Sequence, residues 1–97
     1  MAIPANNIWV FVGSGSRFPS GIFSSKKLAQ EWISRYKLTG TLTIIPVDEG
    51  VFDWALANDM LNLKKEKIPE KSLDPRFVAD CLPASLEHYH FNNGKVD

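Results

Sequence analysis

His88 and His90, the carboxylates Asp48, Glu49, Asp53 and Asp59 around Trp54, Arg17 in a glycine–serine run, and Cys81 are the residues whose types and spacing could do chemistry in this chain. The histidines stand two apart in LEHYHF, a stretch whose alternation reads as a strand. On a strand that spacing turns both imidazoles to one face, where they could share a metal ion or exchange protons. A metal requires a third ligand; Glu87 faces the other way, and Asp48 and Asp53 are far off in sequence. Acid–base work on a phosphate or glycosidic centre requires groups on opposite sides of it, which same-face neighbours do not supply. The expectation is therefore solvated or hydrogen-bonded histidines, no metal and no cofactor. Cys81, followed by Leu82-Pro83, has no histidine at a recognisable motif distance and reads as a small buried side chain.

GSGS at 13–16 invites comparison with a phosphate-binding loop, whose successive backbone N–H groups form an anion nest. The comparison fails because Phe18 stands where a third glycine is needed and Pro19 precedes any helix. A small anion- or nucleotide-binding domain, or an enzyme, using Arg17 with His88 and His90 is the competing reading; it requires those three side chains to converge on one pocket.

The stretch IIPVDEGVFDWALAND, residues 44–59, opens apolar and then collects four acids around Trp54. Between Lys37 and Lys64 there is no Lys or Arg at all, so a chain of zero net charge still carries a local negative face. Such a face favours a basic partner over a phosphate backbone. A tryptophan rimmed by acids has the composition of an interface anchor, which makes Asp48, Glu49, Asp53 and Trp54, with Asp59 at the rim, the expected partner-binding residues.

The elements that must position these groups follow from periodicity. IWVFV at 8–12 is β-branched or aromatic throughout and reads as a central strand with apolar side chains on both faces. Pro19-Ser20-Gly21 predicts a tight reversal into a short strand, Gly21 to Phe23. Ser24 is the expected N-cap of a helix whose stripe is Leu28, Trp32, Ile33 and Tyr36; Phe23 staples onto Leu28, and Gly40 provides the left-handed exit. TLTIIPV at 41–47 is the next strand, with Pro46 near its end or on an edge. A short helix is predicted over 51–58, and residues 62–76, polar with Pro69 and Pro75, read as an exposed connection. Phe77, Val78 and Leu82 predict a helical turn or two before Pro83, and LEHYHF closes the sheet at Asn92-Asn93-Gly94. The predicted fold is a single α+β domain over 1–97: an antiparallel or mixed sheet of about four strands on one main helix, with one or two short helices.

A chain of 97 residues holds one core, and 44% hydrophobic residues exclude disorder. No apolar run approaches the roughly 20 residues of a membrane helix. MAIPANN has neither the basic nor the apolar region of a signal peptide, and Cys81 has no internal disulfide partner, so a cytoplasmic protein is expected. Zero net charge disfavours a domain built to grip nucleic acid directly.

Several stretches together carry a resemblance: Trp9 to Phe11; Arg17 to Gly21 with Phe23; Ala29 and Trp32; Gly40 to Thr43; Pro46 to Val51; Phe52 to Ala55; and His88 to Phe91 with Asn93-Gly94. In this pattern the chain resembles a family of small, largely uncharacterised bacterial domains similar to immunity proteins of contact-dependent growth inhibition and related polymorphic toxin systems. Asn62 to Leu86 carries none of it. The resemblance implies a non-catalytic, cytoplasmic toxin inhibitor whose partner is a cognate nuclease toxin, held by direct protein contact. The acids, on this view, imitate phosphate before a basic substrate cleft. The zero net charge departs from the acidic balance of many such inhibitors.

Overall fold

The structure is a computed structural model that describes residues 3–4, 6–61 and 63–97, without the side chains of 82–85. Its frame is one antiparallel sheet of five strands: β1 (Asn7–Gly13), β2 (Pro19–Phe23), β3 (Gly40–Pro46), β4 (His88–Asn92) and β5 (Lys95–Val96), in the spatial order β2-β1-β3-β4-β5. Four helices join them: α1 (Lys26–Arg35), α2 (Val51–Ala57), α3 (Ile68–Lys71) and α4 (Pro75–Ser85), with a 3₁₀ turn at Lys65–Lys67. The architecture is α+β as expected, with one strand more than predicted, and α4 rather than α1 is the longest helix. No helix among the described residues is long and apolar enough to cross a membrane.

Register fixes which side chains share a face. Trp9 pairs with Ile44, Phe11 with Leu42, and Leu42 with Tyr89, so these rows lie on one side of the pleat. That side is the core: Trp9, Phe11, Leu42, Ile44 and Phe91 pack with Ala29 and Ile33 of α1, Trp54 and Ala55 of α2, and Leu86. The opposite face carries Val10 beside Ile22 and Thr43, Thr43 beside His88, and Thr41 beside His90. β1 is thus interior to the sheet, flanked by β2 and β3, but the helices of the core cover only one of its faces.

Local chemistry explains the connections. Gly15 at φ 80° and the Ser16 N–H donating to the Gly13 carbonyl reverse the chain after β1, so the reversal lies at 13–16 and not at Pro19-Ser20-Gly21. Pro19 instead opens β2, an edge strand, where the missing N–H costs no ladder bond. Ser25, one residue after the expected cap, accepts the Leu28 N–H and starts α1. The buried strip is narrower than the predicted stripe: Ala29 and Ile33 are buried and Trp32 half-buried, while Leu28, about 100° or more around the helix from Ala29 and Ile33, is 51% exposed and Tyr36 also lies outward, so Phe23 has no buried Leu28 to staple onto. Phe23 meets Trp32 instead, with ring centroids 5.4 Å apart.

α1 ends in a Schellman motif. The Lys37 N–H reaches the Ser34 carbonyl, the Leu38 N–H reaches the Ile33 carbonyl, and Lys37 itself is left-handed at φ 51°. Gly40, read as that exit, does something else: a Cβ there would stand 2.4 Å from the Val12 carbonyl oxygen and 2.8 Å from the Gly13 Cα, so it is the residue that lets β3 close on β1. Asn93 and Gly94, at φ 52° and 83°, make the two-residue turn between β4 and β5. The turn is tucked against the end of α1: Gly94 N–H donates to the Leu38 carbonyl and Asn93 N–H to Thr39 Oγ1.

The predicted exposed connection at 62–76 is mostly exposed in its described residues, with Leu63, Ile68 and Lys71 half-buried, and it is not irregular, since it holds the 3₁₀ turn, α3 and the first turn of α4. Asp74 starts α4 by accepting the Arg76 and Phe77 N–H groups, with Pro75 in the first turn where its missing N–H is harmless. α4 then packs on α2, Phe77 meeting Phe52 edge-on at 6.0 Å, and runs through Pro83 instead of stopping before it.

Candidate functional site

Two surfaces bring the chemistry-bearing residues together. The first is the bend between β3 and α2. Its residues Val47 to Gly50 are all exposed, and Asp48 holds a left-handed backbone at φ 63°. Gly50 is the N-cap of α2 and Asp53 lies in its first turn; a Cβ on Gly50 would stand 2.7 Å from Asp53 Oδ2. The Asp53 carboxylate is thus folded back to the positive end of the helix, which satisfies part of its charge internally. Asp48 and Glu49 have no such employment. Asp59 follows α2 at its other end, also left-handed at φ 54°, so the seven-residue helix holds it about 10 Å from the rest. All four acids are exposed, and among the described residues none lies in an ion pair; the pair found is Lys67–Glu70.

Trp54 does not belong to this surface. The sequence placed it among the acids as an exposed anchor, but it is 4% exposed and part of the core cluster with Ile44 and Leu86. The helix explains why: Asp53 and Trp54 are adjacent, so their side chains diverge by about 100°, and the apolar one takes the inward side. Val47, 37% exposed at the end of β3, is the apolar side chain that does lie next to the acids.

The second surface is an open cleft of about 570 Å³ on the sheet face away from the core, lined by Val12, Gly13, Thr41, Thr43, His88, His90 and Asp97 among others. The two histidines meet there as the strand spacing requires, with ring centroids 5.2 Å apart and planes at 81°. His88 Nδ1 lies 3.1 Å from the Leu86 carbonyl oxygen, and His90 Nδ1 lies 3.2 Å from Thr41 Oγ1. Arg17 does not line this cleft, so the convergence required of an anion site built from Arg17, His88 and His90 is not met. The partners of the histidines, Leu86 and Thr41, were not legible as such, since cross-strand register is needed to place Thr41 beside His90. Among the described residues no group of three His, Cys, Asp or Glu side chains is placed to hold a metal ion.

Cys81 is buried between α4 and its surroundings, its thiol donating to the Phe77 carbonyl at 3.3 Å. Desolvation, with the neighbouring Asp80 carboxylate adding to it, pushes the thiol above its ordinary range, which keeps it protonated and unreactive at neutral pH.

A family model described as "Domain of unknown function (DUF7710)" matches residues 8–97. The chain belongs to this family. The match begins inside β1 and takes in every later strand and helix, both candidate surfaces included. No curated protein and no solved structure matches the chain. The family's description assigns no activity, so the surfaces themselves must carry the functional argument.

Proposed function

We propose that this member of the family is a non-catalytic binding protein that holds a basic protein partner against Asp48 and Glu49, with Asp53 beside them, Val47 as the adjoining apolar contact and Asp59 at the rim. One observation carries the reading: Asp48, Glu49 and Asp53 are exposed together at the bend that opens α2 and, among the described residues, no cation lies within ion-pair distance of them. A carboxylate left uncompensated on a surface contributes little to the fold and is free to meet a positive partner, giving orientation and association rate more than raw affinity. Asp48 adds a second hint, since a left-handed backbone at a non-glycine residue is a conformation that surrounding structure must hold in place.

The finer form of the proposal is a cytoplasmic immunity protein that neutralises a nuclease toxin. It rests on the sequence resemblance and on the chemistry of a carboxylate pair, which can stand in for phosphate in a basic cleft. Trp54 has no part in it. Affinity capture from the native cell tests both levels, with wild type beside a variant carrying Asp48→Asn, Glu49→Gln and Asp53→Asn. The expected result is a basic partner retained by wild type and lost by at least tenfold from the variant at low salt. Equal retention by both would reject the surface; a captured partner that is not a nuclease would reject the finer form alone.

A further inference from the structure

The cleft on the opposite face is independent of the acidic bend, and its histidines are better organised than a solvated pair. A carbonyl oxygen only accepts, so the contact between the Leu86 carbonyl and His88 Nδ1 requires that nitrogen to carry the proton. The lone pair of neutral His88 is therefore on Nε2. His90 Nδ1 lies beside Thr41 Oγ1, a hydroxyl that accepts when Nδ1 carries the proton and donates when it does not; the accepting arrangement is the one that leaves the Nε2 lone pair free. A backbone carbonyl on the far nitrogen of an imidazole is an arrangement that fixes tautomer and ring orientation in metal-binding histidines, and His88 has it. His90 stands beside it on the same face, and both rings line an open cleft.

We propose that His88 and His90 bind one divalent transition-metal ion through their Nε2 atoms, with water filling the remaining positions. Two nitrogens sharing a metal at about 2.0–2.1 Å in tetrahedral geometry lie about 3.4 Å apart. Rings whose centroids stand 5.2 Å apart reach that separation when their Nε2 edges turn toward each other. The cleft of about 570 Å³ leaves room for the ion and its waters. Because no third His, Cys, Asp or Glu among the described residues completes a set of three, the protein contributes two neutral nitrogen donors and no charge. Such a site discriminates by imidazole affinity: Cu²⁺ binds tightest, Ni²⁺ and Zn²⁺ follow, and Mg²⁺, which prefers oxygen, does not bind.

Calorimetric titration of the full, untagged chain with CuCl₂, NiCl₂, ZnCl₂ and MgCl₂ reads stoichiometry and order directly. The expected result is one Cu²⁺ per chain, weaker Ni²⁺ and Zn²⁺, no Mg²⁺, and at least a tenfold loss of Cu²⁺ affinity in both His88→Gln and His90→Gln. Thr41→Val, which removes only the hydroxyl behind His90, is expected to weaken Cu²⁺ by about tenfold without altering stoichiometry. Paramagnetic broadening of amide resonances by Cu²⁺ should centre on Thr41, His88 and His90, a readout that does not depend on the variants folding. Absence of saturable Cu²⁺ binding at millimolar concentration, broadening centred elsewhere, or affinity unchanged in either glutamine variant would overturn the proposal.

Discussion

Replacing Trp54 by alanine separates a core tryptophan from an interface tryptophan. Its side chain is 4% exposed and packs in the cluster that joins α2 to β3. A buried aromatic removes about 150–250 Å² from water, which at about 25 cal/mol per Å² is roughly 4–6 kcal/mol as an upper bound. Measured truncations of buried Phe and Trp fall at about 3–5 kcal/mol, and that range is expected here. A domain of this size is stable by about 5–10 kcal/mol, so Trp54→Ala should lose around half of that. With a urea slope of about 1–1.5 kcal/mol per molar, the unfolding midpoint should fall by about 2–5 M. Far-UV circular dichroism is the appropriate probe, because the substitution removes a fluorophore. A surface anchor would shift stability by about 0.5 kcal/mol or less. A midpoint shift below about 0.5 M would refute the placement of Trp54 in the core and return it to the acidic bend. In the same assay Trp54→Phe, which keeps most of the apolar volume, should lose markedly less, and it should still capture any partner held by the acids.

Three further outcomes are expected. Gly40→Ala puts a Cβ 2.4 Å from the Val12 carbonyl oxygen, a backbone atom that cannot yield without opening the β1–β3 ladder, so a loss of about 1–3 kcal/mol should appear in urea unfolding. Lys37→Gly relieves a left-handed residue at the end of α1 and should stabilise by about 0.5–1 kcal/mol, raising the thermal midpoint by a few degrees in calorimetry. Cys81 has its thiol pKa raised in the folded state, so the unfolded chain gives up that proton first; the contribution is complete below about pH 8.5 and is lost as pH climbs past the folded value. Stability should accordingly decline through the alkaline range in wild type and less steeply in Cys81→Ala, with thiol labelling of the native protein slow at neutral pH.

Much of the sheet could be read from the chain because strands announce themselves by residue type. IWVFV, TLTIIP and HYHF are β-branched or aromatic, and Pro46 marks an end, as found. β5 escaped notice because two residues have no periodicity to read. α4 is legible only as the turn or two around Phe77, Val78 and Leu82, because Pro69, Pro75 and Pro83 argue for a broken connection, whereas Asp74 followed by Pro75 is itself a helix-start signal, an N-cap and a proline in the first turn. On α1 the apolar residues span a wider arc than the sheet covers, so Leu28 falls on the solvent side of a strip centred on Ala29 and Ile33. At the candidate surfaces, the negative face was legible from four acids with no Lys or Arg between Lys37 and Lys64. The inward turn of Trp54 was not, because it depends on where α2 sits against β3. The meeting of His88 and His90 followed from strand spacing, but the partner of His90, Thr41, depends on a pairing between segments some fifty residues apart.

The turn at Asn93-Gly94 docks on Leu38 and Thr39, partners more than fifty positions earlier. The consequence is kinetic. β1, β2, α1 and β3 are joined by short loops and can assemble early, since closing small loops costs little chain entropy. The final hairpin must then travel back across the whole intervening helical segment to cap an assembly already waiting for it. On a ribosome, the place beside β3 stays empty until residues 88–92 have emerged, and the nascent sheet must tolerate a bare edge while the helical segment between β3 and β4 is made.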